Sequence, residues 1–310
     1  FDEALEAVQS ALLIRKQRLG NIHEKVEETL VLFGNIYNKL GKSDDALNIF
    51  RAAYQMRGRE AGLGRKVKEI GDTDTLFQMG KIYHESEELE QAMACYEACI
   101  RIWRQSQGDK RTEMAPVLFL MGKALYEMGS LELSLSRFIS SLSIQEKEND
   151  ESLMVADILF YMGNIHCEFG DLDQALDEYE RCLNIRTKKE APSDLVAEVQ
   201  NCLGFVYFDV KQYEKASFSH KKALEALKTA HGDDHEGLAL CWHSLGVICL
   251  EQHETEEALV FFQKALKISR AHLGSNHIDV GNTLHCLGMC FAELNDKKNA
   301  IAILKEALSI

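Results

Sequence analysis

The sequence predicts an all-α fold, an α-solenoid of stacked antiparallel helical hairpins. Three observations carry this: helical hydrophobic periodicity without strand-like alternation, a glycine that recurs inside helices, and small residues held in register behind it. A helix glycine costs about 1 kcal/mol relative to alanine and needs a packing reason. Here it stands at Gly34, Gly80, Gly122, Gly163, Gly204, Gly246 and Gly288, in steps of 46, 42, 41, 41, 42 and 42 residues. Twelve residues after each come Ala46, Ala92, Ser134, Ala175, Ala216, Ala258 and Ala300. Seven further on are Ala53, Cys99, Ser141, Cys182, Ala223, Ala265 and Ala307. Chance does not hold three small positions in register over seven copies.

The copy from Leu159 to Arg186 serves as the template. Leu159, Met162, Gly163 and His166 share one face of a first helix, and Ala175, Tyr179, Cys182 and Leu183 share one face of a second. Gly170-Asp171 is the turn between them: glycine accepts positive φ, and Asp171 is placed to cap the second helix. Gly163 and Ala175 lie where the two helices would touch. Each hairpin has an apolar face that it cannot bury alone, so the repeat overrides the two domains that 310 residues would suggest. The expectation is one solenoid over residues 1–310 with a continuous core.

Taken in order, residues 1–20 read as the second helix of a truncated repeat, with Ala4, Val8, Ala11, Leu12 and Ile14 in register, so the solenoid is expected to continue upstream. Repeats follow at about 22–60, 73–108, 113–147, 151–190, 192–232, 234–274 and 276–310. Four extra residues fall between Ala53 and Gly80, in the segment that carries the one dense basic run, Arg57 to Lys68. It is either a solvated linker or a dock for an acidic or phosphorylated partner. Gly62 and Gly64 within it do not make a nucleotide loop, since no strand precedes them and no G-K-[ST] follows. Ser134 and Ser141 should leave the third hairpin with less apolar contact. Pro192 precedes a helix start, where its missing N–H is harmless. The turn glycine is kept at Gly41, Gly129 and Gly170 and becomes Asn295 once; Glu87, Lys211 and His253 in its place imply a different turn or strain.

Composition bounds the function. No apolar run is long enough to span a bilayer and no signal peptide is visible, although the chain reads as a fragment cut from a longer protein. All nine cysteines fall on helices at repeat positions, as small apolar residues would, which suits a reducing, cytoplasmic compartment. A net charge of −14 disfavours nucleic acid as a partner.

The order Gly, Tyr, Ala, Tyr or Phe, Ala resembles the tetratricopeptide repeat. It is carried by Gly34/Tyr37/Ala46/Phe50/Ala53, by Gly80/Tyr83/Ala92/Tyr96/Cys99 and by Gly204/Tyr207/Ala216/His220/Ala223. The period of about 42, with L-G-x-x-H at Leu19 to His23 and Leu273 to His277, is similar to the kinesin light chain and nephrocystin group. The proline expected after those histidines is absent: Glu24 and Ile278 stand there. The resemblance implies a right-handed superhelix whose concave groove is lined by the residues three before and one after each glycine. Those are Val31/Asn35, Phe77/Lys81, Phe119/Lys123, Phe160/Asn164, Asn201/Phe205, His243/Val247 and His285/Met289.

Asn35, Phe77, Lys81, Phe119, Lys123, Phe160, Asn164, Asn201, His243 and His285 are therefore the candidate partner-binding residues. Aromatic anchors beside amide and ammonium donors suit a protein or peptide segment with apolar and acidic side chains. The competing reading has the phenylalanines packed against adjacent hairpins under lysine stems. His243 and His285 could face each other, but two ligands make no metal site, and His231 and His235 around Gly232 read as linker residues. The acids at Glu85, Glu127, Glu168, Asp209, Glu251 and Glu293 read as a solvated helix flank. No nucleophile, paired-carboxylate or phosphate-loop motif is present. The expectation is a non-catalytic interaction scaffold without metal, cofactor or membrane insertion. The alternative is a structural arm of a larger signalling or motor protein, self-associating through its solenoid ends, where Leu304, Leu308 and Ile310 are apolar.

Overall fold

The computed structural model describes residues 2–62, 70–105, 111–147 and 151–310. Among these are fifteen helices and no strand. The chain divides into two compact units, Phe1–Asp150 and Glu151–Ile310.

In the first unit α1 (Asp2–Leu19) lies on α2 (Glu24–Lys39), which pairs with α3 (Ser43–Gly62); α4 (Ile70–Glu85) pairs with α5 (Leu89–Gln105), and α6 (Arg111–Glu127) with α7 (Leu131–Lys147). Each hairpin also packs on the next, α3 on α4 and α5 on α6. In the second unit the hairpins are α8 (Leu153–Phe169) with α9 (Leu172–Lys188), α10 (Ser193–Asp209) with α11 (Tyr213–His231), α12 (Leu238–Glu251) with α13 (Thr255–Leu273), and α14 (Ile278–Glu293) with α15 (Lys297–Leu308). The hairpins run over 24–62, 70–105, 111–147, 153–188, 193–231, 238–273 and 278–308. The basic run from Arg57 to Lys68 lies outside the described residues, apart from the helical backbone up to Gly62.

The helix glycine answers a different neighbour from the one the spacing suggests. A methyl group on Gly163 would sit 2.6 Å from Cε1 of Tyr179, sixteen residues on, and on Gly80 2.5 Å from Cε1 of Tyr96. Phe50, Phe138 and Phe262 press on Gly34, Gly122 and Gly246 in the same way, and His220 and Leu304 on Gly204 and Gly288. The glycine is the socket for the side chain sixteen residues on, in five of the seven hairpins a Phe or Tyr ring of the second helix. The small residue twelve on touches the same turn from beside the ring: Ser134 Oγ donates to the Gly122 carbonyl at 2.7 Å. The small residue nineteen on meets the start of the first helix, where Ser141 Oγ donates to Ala115 O at 2.8 Å and Cys99 Sγ to Thr73 O at 3.3 Å. Both serines are fully buried and bonded, so hydrogen bonds replace the apolar contact that alanine would make in the third hairpin.

All seven turns are one structure. φ is positive at Gly41, Gly129, Gly170, Glu87, Lys211, His253 and Asn295 alike. In each, the next amide reaches back five residues, as from Asp171 N to His166 O, Gln212 N to Tyr207 O and Glu254 N to Cys249 O, all 2.8 Å. Glu87, Lys211 and His253 thus take the strained conformation and not a different turn. Asp171 occupies the cap position of α9, but its side chain makes no capping bond. Capping by side chain is found at Ser152, at Asp296, which holds the equivalent place before α15, and at His23 and His277, whose Nδ1 atoms accept from Lys25 N and Asp279 N. This gives the histidine of L-G-x-x-H a mechanical role: it starts the next hairpin.

Candidate functional site

In the first unit the row is carried by α2, α4 and α6. The Phe77 ring lies 6.3 Å from Tyr96, and the Phe119 ring 6.0 Å from Phe138, so each rests on the aromatic seated over its own glycine. Both phenylalanines remain half-buried. Lys81 follows one turn on, its Nζ 5.6 Å from the Phe77 centroid and 3.5 Å from Gln78 Oε1. Lys123 Nζ lies 3.8 Å from Glu127 Oε1, a loose surface pair that leaves the ammonium available. Asn35 is half-buried. Four of the five candidates here thus fall in two Phe/Lys pairs one helical turn apart, with the ammonium set against the ring at Phe77.

In the second unit the row turns inward. Phe160 is 9% exposed, with the Arg186 guanidinium 5.0 Å from its ring centroid, and it packs on Tyr179. Asn164 Oδ1 accepts from the Tyr179 hydroxyl at 2.7 Å. Asn201 is 8% exposed and serves the interior: its Oδ1 lies 3.0 Å from His220 Nδ1 and 3.4 Å from Cys241 Sγ. What faces out in that repeat is its companion Phe205, stacked edge-on against His220 at 5.0 Å. His243 Nδ1 sits 3.2 Å from Thr283 Oγ1, and burial lowers its pKa, with Asp279 opposing. His285 is exposed.

His243 also borders a cavity of about 430 Å³ among α12, α13 and α14, with Leu240, Ile268 and Leu273 as apolar lining and Asp279 and Asn282 as polar lining. Sequence spacing missed this cavity, because the end of α13 builds part of it. No sequence signal marked it, since the exposure of Leu240 and Leu273 is set by how α12, α13 and α14 meet.

The remaining chemistry is structural. Arg186, almost fully buried, donates to Asp157 Oδ1, Glu198 Oε2 and Leu195 O, tying α8, α9 and α10 together. Nothing in the spacing announced it. All nine cysteines are free, and burial pushes the thiols of Cys99, Cys182 and Cys202 up to about 12, away from the reactive thiolate. The six recurrent acids from Glu85 to Glu293 are exposed, as a solvated flank requires. Among the described residues no helix is long and apolar enough to cross a membrane.

Comparison with known proteins agrees with this architecture. The family profile described as tetratricopeptide repeat matches residues 72–147, 113–188, 195–271 and 252–310, and a second of that description matches 27–59. Kinesin light chain-related proteins 2 and 3 of Arabidopsis thaliana are 29% and 28% identical over 143 residues, which is 46% of this chain. The match spans 21% of the length of each. Among solved structures, a signal transduction ATPase with a tetratricopeptide repeat sensor from Pyrococcus horikoshii superposes with a TM-score of 0.69 at 16% identity, over 98% of this chain and 46% of that one. BtubC (BKLC) from P. vanneervenii gives 0.57 at 18% identity over 79% and 91% of the two chains. The putative kinesin light chain repeats of Podosopora anserina give 0.55 at 14% identity, over 66% and 96%.

Proposed function

The chain belongs to the tetratricopeptide repeat family, and from that premise we propose a non-catalytic scaffold for protein–protein interaction. It takes a partner segment with apolar and acidic side chains in the groove lined by its first helices. The supporting observation is the pair of half-exposed Phe/Lys units on successive repeats, Phe77 with Lys81 and Phe119 with Lys123. An extended segment laid across α4 and α6 would set apolar side chains on the ring edges and carboxylates on the ammonium groups. In the second unit Phe205, His243 and His285 continue the row, and the apolar cavity beside His243 suits an anchoring side chain. Phe160 and Asn201 support the row from beneath. A right-handed solenoid within each unit and a cytoplasmic setting are parts of the same proposal, the latter supported by nine free cysteines.

Selection of displayed peptides against the chain should enrich segments that pair Asp or Glu with apolar residues. The affinity of an enriched peptide should fall at least ten-fold in Lys81→Ala/Lys123→Ala, and should weaken with added salt, while the helical melt is unchanged. Unchanged affinity in that variant removes the site.

A second reading, the chain as a self-associating arm of a larger motor-associated or signalling protein, is favoured by Ile301 and Leu308, the latter 88% exposed on α15. Likeness to kinesin light chain-related proteins fits that setting. Mass that rises with concentration in light scattering, and returns to monomer in Ile301→Lys/Leu308→Lys, would select it.

A further inference from the structure

We propose that Asp194, His231 and His235 form a binding site for a divalent transition metal, with Zn²⁺ as the fitting ion. The three side chains converge from the first turn of α10, the last residue of α11 and the loop before α12, and one ligand atom of each lies within 4.8 Å of the others. His231 Nε2 is 2.7 Å from Asp194 Oδ1, and the two imidazoles stack at 4.3 Å with their planes 18° apart. Ligand atoms around a tetrahedral zinc with bonds of 2.0–2.1 Å stand roughly 3.3 Å apart. Closing onto the ion therefore takes about 1.5 Å at most from 4.8 Å, within reach of side-chain rotations at a partly exposed site. Two imidazoles and a carboxylate, with water in the fourth position, are a donor set that Zn²⁺ accepts.

The sister turns isolate what is special here. Gly20, Gly232 and Gly274 share one backbone geometry, with φ of 85°, 87° and 82°, and each is followed three residues later by a histidine, His23, His235 and His277. The residue before the glycine is Leu19 or Leu273 at two of these turns, each at least 40% exposed, and His231 at the third. Packing does not demand a histidine at so open a position. Its one structural consequence is to lay a second imidazole on the first, beside a carboxylate.

The backbones that carry the three ligands are also pinned. Arg186 donates to Leu195 O at 2.6 Å, next to Asp194, and His272 Nε2 reaches Asp234 O at 2.6 Å, next to His235, while Lys228 pairs with the exposed Asp233 carboxylate at 2.8 Å. Preordered ligands cost less to assemble. The other convergent group among the described residues, Cys249 with Glu254 and Glu257, is a poorer site, since burial pushes the Cys249 thiol up to about 11. Zinc at the proposed site would staple α10 to α11 and to the entry of α12. Loading is also readable at one amide. His235 Nδ1 now accepts from Gly237 N–H at 3.3 Å. Coordination through either ring nitrogen removes that acceptor, because the metal takes Nδ1 directly or takes Nε2 and leaves the ring proton on Nδ1.

The test is titration of the chelator-treated chain with zinc chloride by calorimetry, alongside thermal melts and amide NMR. One saturable site at micromolar zinc is expected, with a raised melting temperature and a shifted Gly237 amide. His231→Leu, which restores the residue of the sister turns, and Asp194→Asn should each weaken binding at least ten-fold and abolish both responses, while melting like the parent without zinc. No saturable binding at micromolar zinc overturns the proposal, and so does binding that both variants retain. Neither outcome bears on the peptide-binding reading, whose residues lie elsewhere.

Discussion

His220 holds the ring position filled by phenylalanine at Phe50, Phe138 and Phe262, and it is 1% exposed with its ring against Gly204. Burial pushes its pKa from imidazole's ordinary 6.5 down to about 4, so the folded chain keeps it neutral where the unfolded chain would protonate it. Stability from this group is therefore complete above pH 6.5 and is lost as pH falls from 6.5 to about 4, an effect on the order of 3 kcal/mol. His220→Phe should fold, and its stability should fall less than the parent's over that interval when denaturant melts are compared at successive pH values. Identical pH profiles for the two would show that His220 titrates normally. Asn201 takes its meaning from the same pair. Its place in the repeat assigned it to the groove, while its partner His220 draws it into the core.

At the scale of the hairpin, the turn is dictated by the two helices it joins and not by the residue that occupies it. Lys211 and His253 adopt φ of 61° although glycine would do so without strain, because the amide that follows must reach the helix carbonyl five residues back. A non-glycine residue held in the left-handed region costs about 1 kcal/mol or more, partly offset by the entropy that glycine loses on folding. Lys211→Gly and His253→Gly should each stabilise the second unit by about 0.5–1 kcal/mol in urea melts, without change in helix content. No gain, or a loss, would mean that these side chains make compensating contacts. The sequence showed where the turns lie from the repeat spacing alone. It could not separate a strained turn from a different one, since the backbone choice rests on a closure shared by all seven.

For the molecule as a whole, each unit is held by hairpins that contact their neighbours and little else, so stability should propagate locally. Gly163→Ala tests this within the second unit. Its methyl would lie 2.6 Å from a Tyr179 ring that is itself sunk in the core, an overpacking of about 1–3 kcal/mol. Hydrogen exchange should accelerate most in α8 to α11 and progressively less toward α14 and α15. Uniform acceleration across α8 to α15 would show that the unit opens as one body. The same nearest-neighbour logic explains why the candidate site was only half legible. The positions three before and one after the glycine were readable because helical geometry is local. How deep each side chain sits depends on the ring behind it and on cross-hairpin groups such as Arg186.

The spacing of glycine, alanine and aromatic residues was enough to determine the all-helical class and the face each helix buries. Those features follow from the 3.6-residue helical period and from the cost of a glycine that must be repaid by packing. Only the tertiary structure decided that the glycine receives the side chain sixteen residues on, that Phe77 and Phe119 stay half-buried while Phe160 is buried, and that His231, His235 and Asp194 meet. Each of these depends on atoms far apart in the chain, brought within a few ångströms by packing that no local pattern encodes.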